Sequence, residues 1–103
     1  MHCLDDHHHY ELDFFEDSQI KQELKFINKK PASEGSSDLV TVHDGTTNEE
    51  VLKMLLHRCG ELNKKFPCRE NSIAITKMEE ALMWFERRTA NRQARGVEGK
   101  HSA

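Results

Sequence analysis

The sequence contains no apolar run close to the roughly 18 residues that a membrane-spanning helix needs, which excludes a membrane span. Its acidic, histidine-rich start also lacks the basic and apolar segments of a secretory signal. Both absences predict a cytoplasmic protein with no membrane partner.

Cysteine is scarce, and its spacing excludes the common cysteine-based scaffolds. Cys3, Cys59 and Cys68 form an odd set without a CxxC spacing, which argues against a disulfide framework or a zinc knuckle. The run 7–9 offers three imidazoles near Cys3, which leaves a metal-binding tract as an alternative. Adjacent side chains of an extended chain point in alternating directions, however, and suit a four-ligand site poorly. We therefore expect free thiols, no metal site and no cofactor.

Catalytic motifs are also missing. The sequence has no Ser-His-Asp pattern, P-loop, GxGxxG or HExxH. His57 and Cys59 could imitate a base and a thiol, but a spacing of two residues places them about 200° apart around a helix. The sequence therefore predicts a protein that is not an enzyme.

Charge is balanced overall but unevenly distributed. The chain has 15 basic and 18 acidic residues, so its net charge of -3 gives no general bias toward nucleic acid. Residues 1–40 carry four basic and nine acidic side chains, whereas residues 41–103 carry eleven basic and nine acidic. This shift predicts two parts of different character.

The N-terminal part, residues 1–40, is predicted to be an acidic and largely flexible extension. Its partly helix-spaced apolar residues favour either an extended segment or a short helix at 17–28. Residues 28–38 are rich in Pro, Gly and Ser and are typical of a linker. Residues 39–43 are β-branched but have no obvious partner, so we expect an extended lead-in.

The residues that follow predict two helices joined by a short corner. Thr47-Asn48-Glu49-Glu50 has the form of a capping box, and Pro67 ends the first helix. A second helix is predicted from about Ser72 to Arg95, with Gly96 as its stop. Each helix carries an apolar seam at steps of three and four. The seam residues are Leu52, Leu55, Cys59, Leu62 and Phe66, then Ile75, Met78, Leu82 and Phe85.

The predicted fold class is all-α, an antiparallel two-helix hairpin over residues 41–96 with an extended or short-helical N-terminal segment. Residues 97–103 show no period and are predicted to be a disordered tail. Two helices of this size bury too little surface to be stable alone. We therefore expect a homo-oligomer, with Trp84 at the contact between subunits.

The corner carries side chains suited to binding an anion. Arg69, Asn71, Ser72 and Thr76 lie around a predicted helix N-terminus, where unpaired N–H groups and the helix dipole favour negative charge. An arginine can grip two phosphate oxygens, and a hydroxyl can complete the site. The structural alternative is that Asn71 or Ser72 only caps the helix while Arg69 is solvated.

A second basic cluster lies near the end of the second helix, at Arg87, Arg88, Arg92 and Arg95. Cations are favoured there by the helix dipole, so a solvated face is the simple interpretation and a nucleic-acid surface the alternative. Nearby acidic residues offset the cluster and argue against nucleic acid as a partner. These residues are Glu79, Glu80 and Glu86.

The stretch from His43 to Gly96 resembles the helical-hairpin domain of phage anti-CBASS cyclic-nucleotide sponges, which is shared with anti-Thoeris sponges. Three features carry the resemblance: the Thr-x-x-Glu cap, the Pro-containing corner, and the Arg followed by Ser-x-Ala-x-Thr within residues 69–76. The first 40 residues find no counterpart in it.

The resemblance implies a homohexamer that sequesters cyclic di- and trinucleotides without cleaving them, in the cytoplasm of the infected host cell. It places Arg69, Ser72 and Thr76 around a trinucleotide pocket. For a dinucleotide pocket it implies that His43 stacks on a base, where the family has Tyr, and that Arg58 pairs with phosphate. The alternative function is an oligomeric helical protein-interaction module without a nucleotide ligand.

Overall fold

The computed structural model describes residues 1–96 and divides into two compact units. We call Met1–Thr47 the strand unit and the part that begins at Asn48 the helical unit. The tail predicted at residues 97–103 lies outside the described residues. No helix of the described chain is long and apolar enough to cross a membrane.

The strand unit contains five strands in two antiparallel sheets. Strands β1 (His2–Cys3), β2 (His9–Asp13) and β3 (Lys21–Lys25) form one sheet in that order. Strands β4 (Asn28–Pro31) and β5 (Leu39–His43) form the other. The prediction of an all-α fold is therefore wrong, because the protein is mixed α and β.

The first sheet is held by polar contacts at its turns. The Asp5 carboxylate accepts hydrogen bonds from the backbone N–H of His8 and His9, both at 2.8 Å. The His8 bond is the main reason that the pKa of Asp5 lies below its usual value. Asp13 binds Lys21 across β2 and β3 at 2.7 Å. Of the two alternatives for residues 17–28, the short helix is wrong, since β3 lies within that range and β4 begins at its last residue.

The segment expected to be a linker forms most of a β-hairpin instead. Pro31 pairs with Leu39, and the backbone of Ala32 donates to Asp38 at 2.9 Å. The turn passes through Gly35 at φ 78°, a left-handed conformation that glycine adopts without a steric penalty. The lead-in predicted without a partner is thus β5, and β4 is its partner.

The helical unit contains the two expected helices, α1 (Asn48–Lys65) and α2 (Arg69–Ala94). Most residues of the predicted seams are half-buried, namely Leu52, Leu55 and Cys59 on α1 and Ile75, Met78, Leu82 and Phe85 on α2. The last two residues of the predicted α1 seam are exposed, Leu62 at 40% and Phe66 at 77%. Helix α2 ends as predicted. Gly96 adopts φ 69° and its N–H donates to Gln93 at 3.0 Å.

Among residues 1–96 no apolar residue is buried. The only buried residue in this range is Arg92, which is 6% exposed. Trp84 and Met54 are each 58% exposed, and Phe66 is 77% exposed. A single chain therefore leaves much of its apolar surface in water, where burial would be worth about 25 cal/mol per Å².

Candidate anion site at the start of the second helix

The corner between the helices is built by Cys68. This residue is the N-cap of α2, with extended backbone angles, and its Sγ accepts a hydrogen bond from Asn71 N at 3.4 Å. Helix α2 begins at Arg69, three residues earlier than the sequence predicts, and neither Asn71 nor Ser72 is its cap. Cysteine is not among the usual capping residues, which explains the error.

Asn63, in the last turn of α1, ties the corner together. Its Oδ1 accepts from Cys68 N and its Nδ2 donates to Ser72 Oγ, both at 3.1 Å. Asn63 is not among the site residues predicted from the sequence. An asparagine near a helix end, five residues before a corner, is the signal that could have found it.

Three of the predicted site residues lie together in the structure. Arg69, Ser72 and Thr76 line an open groove of about 330 Å³, together with Ile73 and Lys77. The five positions fall on successive turns of one exposed face of α2. Asn71 does not line the groove, and its side chain is half-buried.

The groove is electrostatically suited to an anion. It contains two cationic side chains and two hydroxyls next to a helix N-terminus. Lys77 Nζ lies 3.7 Å from Glu80 Oε2, whereas Arg69 forms no ion pair within residues 1–96. An arginine without a carboxylate partner keeps its donors available for phosphate oxygens.

The two residues of the implied dinucleotide pocket belong to different units. His43 ends β5 in the strand unit, where its Nε2 lies 3.9 Å from Asp5 Oδ2. Arg58 is exposed in the middle of α1 in the helical unit. Their joint role in binding stays a prediction.

Within residues 1–96, no three His, Cys, Asp or Glu side chains are grouped in a way that could hold a metal ion.

A second groove of about 380 Å³ lies in the helical unit. It is lined by Leu56, Leu82 and Met83 together with Glu79 and Glu86. Its two carboxylates make it unsuitable for an anion.

Comparison with known proteins places the chain in a family. A family model described as "Acb2/Tad1, hairpin domain" matches residues 21–90, which include strands β3 to β5, α1 and most of α2. The chain belongs to the Acb2/Tad1 hairpin-domain family. The expectation that residues 1–40 have no family counterpart is wrong from residue 21 onward.

One curated relative resembles part of this Acb2/Tad1 hairpin protein closely. It is named Thoeris anti-defense 1, from Bacillus phage SBSphiJ7, and is 52% identical over 65 residues. The aligned region covers 60% of this chain and 46% of the relative. The chain therefore spans about half the length of that curated protein.

Proposed function

We propose that this protein sequesters cyclic oligonucleotide second messengers, cyclic dinucleotides, trinucleotides or both, without cleaving them. In this role it would block CBASS-type anti-phage signalling in the cytoplasm of an infected bacterium. The observation that carries the proposal is the groove on α2, where Arg69, Ser72 and Thr76 lie together.

The composition of the groove supports a phosphate ligand. Arg69 and Lys77 supply positive charge, and the hydroxyls of Ser72 and Thr76 supply short hydrogen bonds. Ile73 gives an apolar patch, and its side chain is 42% exposed. A cyclic oligonucleotide combines phosphodiesters with flat, largely apolar base faces, so it matches both kinds of surface.

The family supports a role in evading bacterial defence. The phage relative's name describes an anti-defence protein, and its aligned region is 52% identical to this chain. We extend the anti-defence role to this protein as part of the proposal. Sequestration also suits the groove chemically, because none of its five lining residues is a carboxylate or an imidazole that could act as a general base.

We also propose that the protein assembles as a homohexamer, as its resemblance to the sponge family implies. The groove volume of about 330 Å³ lies at the lower end of the range of small-molecule sites. One open face of α2 would therefore hold only part of a cyclic oligonucleotide. Other subunits would supply the remaining walls, and their contacts would cover the exposed apolar residues of α1 and α2.

The alternative function is protein interaction without a nucleotide. The observation that favours it is the second groove, whose lining combines three apolar side chains, Leu56, Leu82 and Met83, with two carboxylates. A partner helix with apolar and basic residues would fit this surface.

Arg69→Ala tests the proposal. Loss of the guanidinium should weaken cyclic trinucleotide binding by about 100-fold, since charge-assisted bidentate contacts are the strong ones. Calorimetric titration measures the affinity, and sedimentation should show an unchanged oligomer. Arg88→Ala is the matched control, because Arg88 is an exposed arginine near the other end of α2. Equal affinities for both variants and the wild type would reject the groove as the binding site.

A further inference from the structure

Asn63 connects the backbone of the corner to a hydroxyl of the groove. Its Oδ1 accepts from Cys68 N and its Nδ2 donates to Ser72 Oγ, each at 3.1 Å. Asn63 is half-buried, whereas Ser72 is exposed in the groove. The amide therefore reaches from the end of α1 to the surface where a ligand would lie.

The direction of both hydrogen bonds is fixed by their chemistry. A backbone N–H can only donate, so the Asn63 atom that faces Cys68 N must be the carbonyl oxygen. The amide nitrogen then faces Ser72, and because that nitrogen only donates, the Ser72 oxygen accepts. Exchanging the two ends of the amide would bring two donors together at Cys68 and is excluded.

This direction leaves the proton of the Ser72 hydroxyl available. A serine hydroxyl has one proton to donate and two lone pairs that accept. The hydrogen bond from Asn63 Nδ2 occupies one lone pair of Ser72 Oγ. Within residues 1–96 the Ser72 hydroxyl itself donates to no protein acceptor. An acceptor atom placed in the groove can therefore take this proton.

We infer that Asn63 is a positioning residue that holds Ser72 as a hydrogen-bond donor and so selects ligand groups that only accept. The inference rests on the proposed function, since phosphodiester oxygens are acceptors without protons at neutral pH. Arg69 and Lys77 can only donate, so the two cationic side chains that line the groove with Ser72 present the same polarity. Asn63, at the end of α1, thus favours acceptor groups of the ligand in a groove that is lined by α2.

Asn63→Asp isolates the donation to Ser72. The introduced carboxylate keeps an acceptor for Cys68 N–H but cannot donate, so the Ser72 hydroxyl turns its proton toward the carboxylate and away from the groove. Affinity for 3′,3′,3′-cyclic triadenylate, the probe in a calorimetric titration, should fall about tenfold or more. The melting temperature and the oligomer size should stay close to those of the wild type.

Two further variants separate this effect from simple charge repulsion. In a Ser72→Ala background the additional loss caused by Asn63→Asp should disappear, because the hydroxyl through which Asn63 acts is gone. Asn91→Asp, the same change at an exposed position near the end of α2, should leave affinity unchanged.

Each outcome decides the inference. An unchanged affinity in Asn63→Asp overturns it, as does a loss of the same size in the Ser72→Ala background, which would show a through-space charge effect. If the wild type itself binds no cyclic nucleotide, the proposed function fails first and this inference fails with it. The wild-type titration therefore distinguishes the two failures.

Discussion

Cys68 caps α2 with a sulfur atom, which is a weaker hydrogen-bond acceptor than an oxygen. Cys68→Ser should keep the geometry and supply a better acceptor for Asn71 N–H. We expect the free energy of unfolding to rise by roughly 0.5–1 kcal/mol in urea denaturation. Cys68→Ala is the paired variant and should lower it. A serine variant less stable than the alanine variant would show that this residue does not act as a cap.

Gly45 is required by a close approach within the strand unit. A Cβ at this position would lie 2.5 Å from the Phe26 carbonyl carbon and 2.7 Å from Lys25 O. The next residue, Thr46, is held against β3 by a hydrogen bond from its N–H to Lys25 O at 2.9 Å. Gly45→Ala should therefore destabilise the strand unit by about 1–3 kcal/mol, measured by amide hydrogen exchange of β3.

Gly60 is the matched control, because a Cβ there meets no atom of its own chain within 4 Å. Gly60→Ala should stabilise α1 by about 1 kcal/mol. Within the described chain, Gly60 therefore marks no close approach and is a tolerated position on the helix surface. If Gly60→Ala instead disrupts the oligomer, another subunit packs against this position.

At the scale of elements, the helices were predictable and the strands were not. The α1 and α2 seams are local patterns, repeated every three to four residues, and they can be found in one stretch of sequence. Strands β3 and β4, with sequences KQELK and NKKP, contain few residues that favour strands. Their stability comes from pairing with β2 and β5, which sequence composition does not reveal.

The same distinction applies to the candidate site. Arg69, Ser72 and Thr76 share a helix face by spacing alone, so the sequence could group them. Lys77 fits the same spacing but is absent from the site predicted from the sequence. The contact of Asn63 with Ser72 depends on how α1 and α2 meet at the corner, and no periodic pattern encodes it.

The pairing of β2 with β3 should depend on pH through Asp13. Its hydrogen bond with Lys21 holds the pKa of the carboxyl below its usual value of 3.8. A carboxyl with a lowered folded-state pKa stabilises the fold above the unfolded value, and this contribution is lost as pH falls through the folded pKa. The wild-type strand unit should therefore lose stability below about pH 4.

Asp13→Asn removes the titrating group and keeps its size. Strand-unit stability in this variant, followed by hydrogen exchange of β2 and β3, should change less with pH in the acidic range. Parallel pH profiles for the two proteins would show that the Asp13 contact with Lys21 does not contribute to the acid sensitivity.

At the scale of the whole molecule, exposed apolar surface predicts self-association. Trp84 is 58% exposed, with the Arg87 guanidinium 5.3 Å from the centre of its ring. Trp84→Glu should lower the oligomer size in sedimentation velocity, since a desolvated carboxylate is costly at an apolar contact. Phe15→Glu is the control, because it places the same charge at an exposed aromatic in the strand unit. Unchanged sedimentation of Trp84→Glu would exclude Trp84 from the subunit contact.

The measurement that tests the central claim most directly is calorimetric titration of the full chain with cyclic di- and trinucleotides, followed by chromatography of the ligand released on denaturation. We predict saturable heat with at least one cyclic nucleotide and recovery of that ligand intact. Recovery of a linear product would contradict sequestration without cleavage. Absence of heat with every cyclic nucleotide would contradict the proposed function itself.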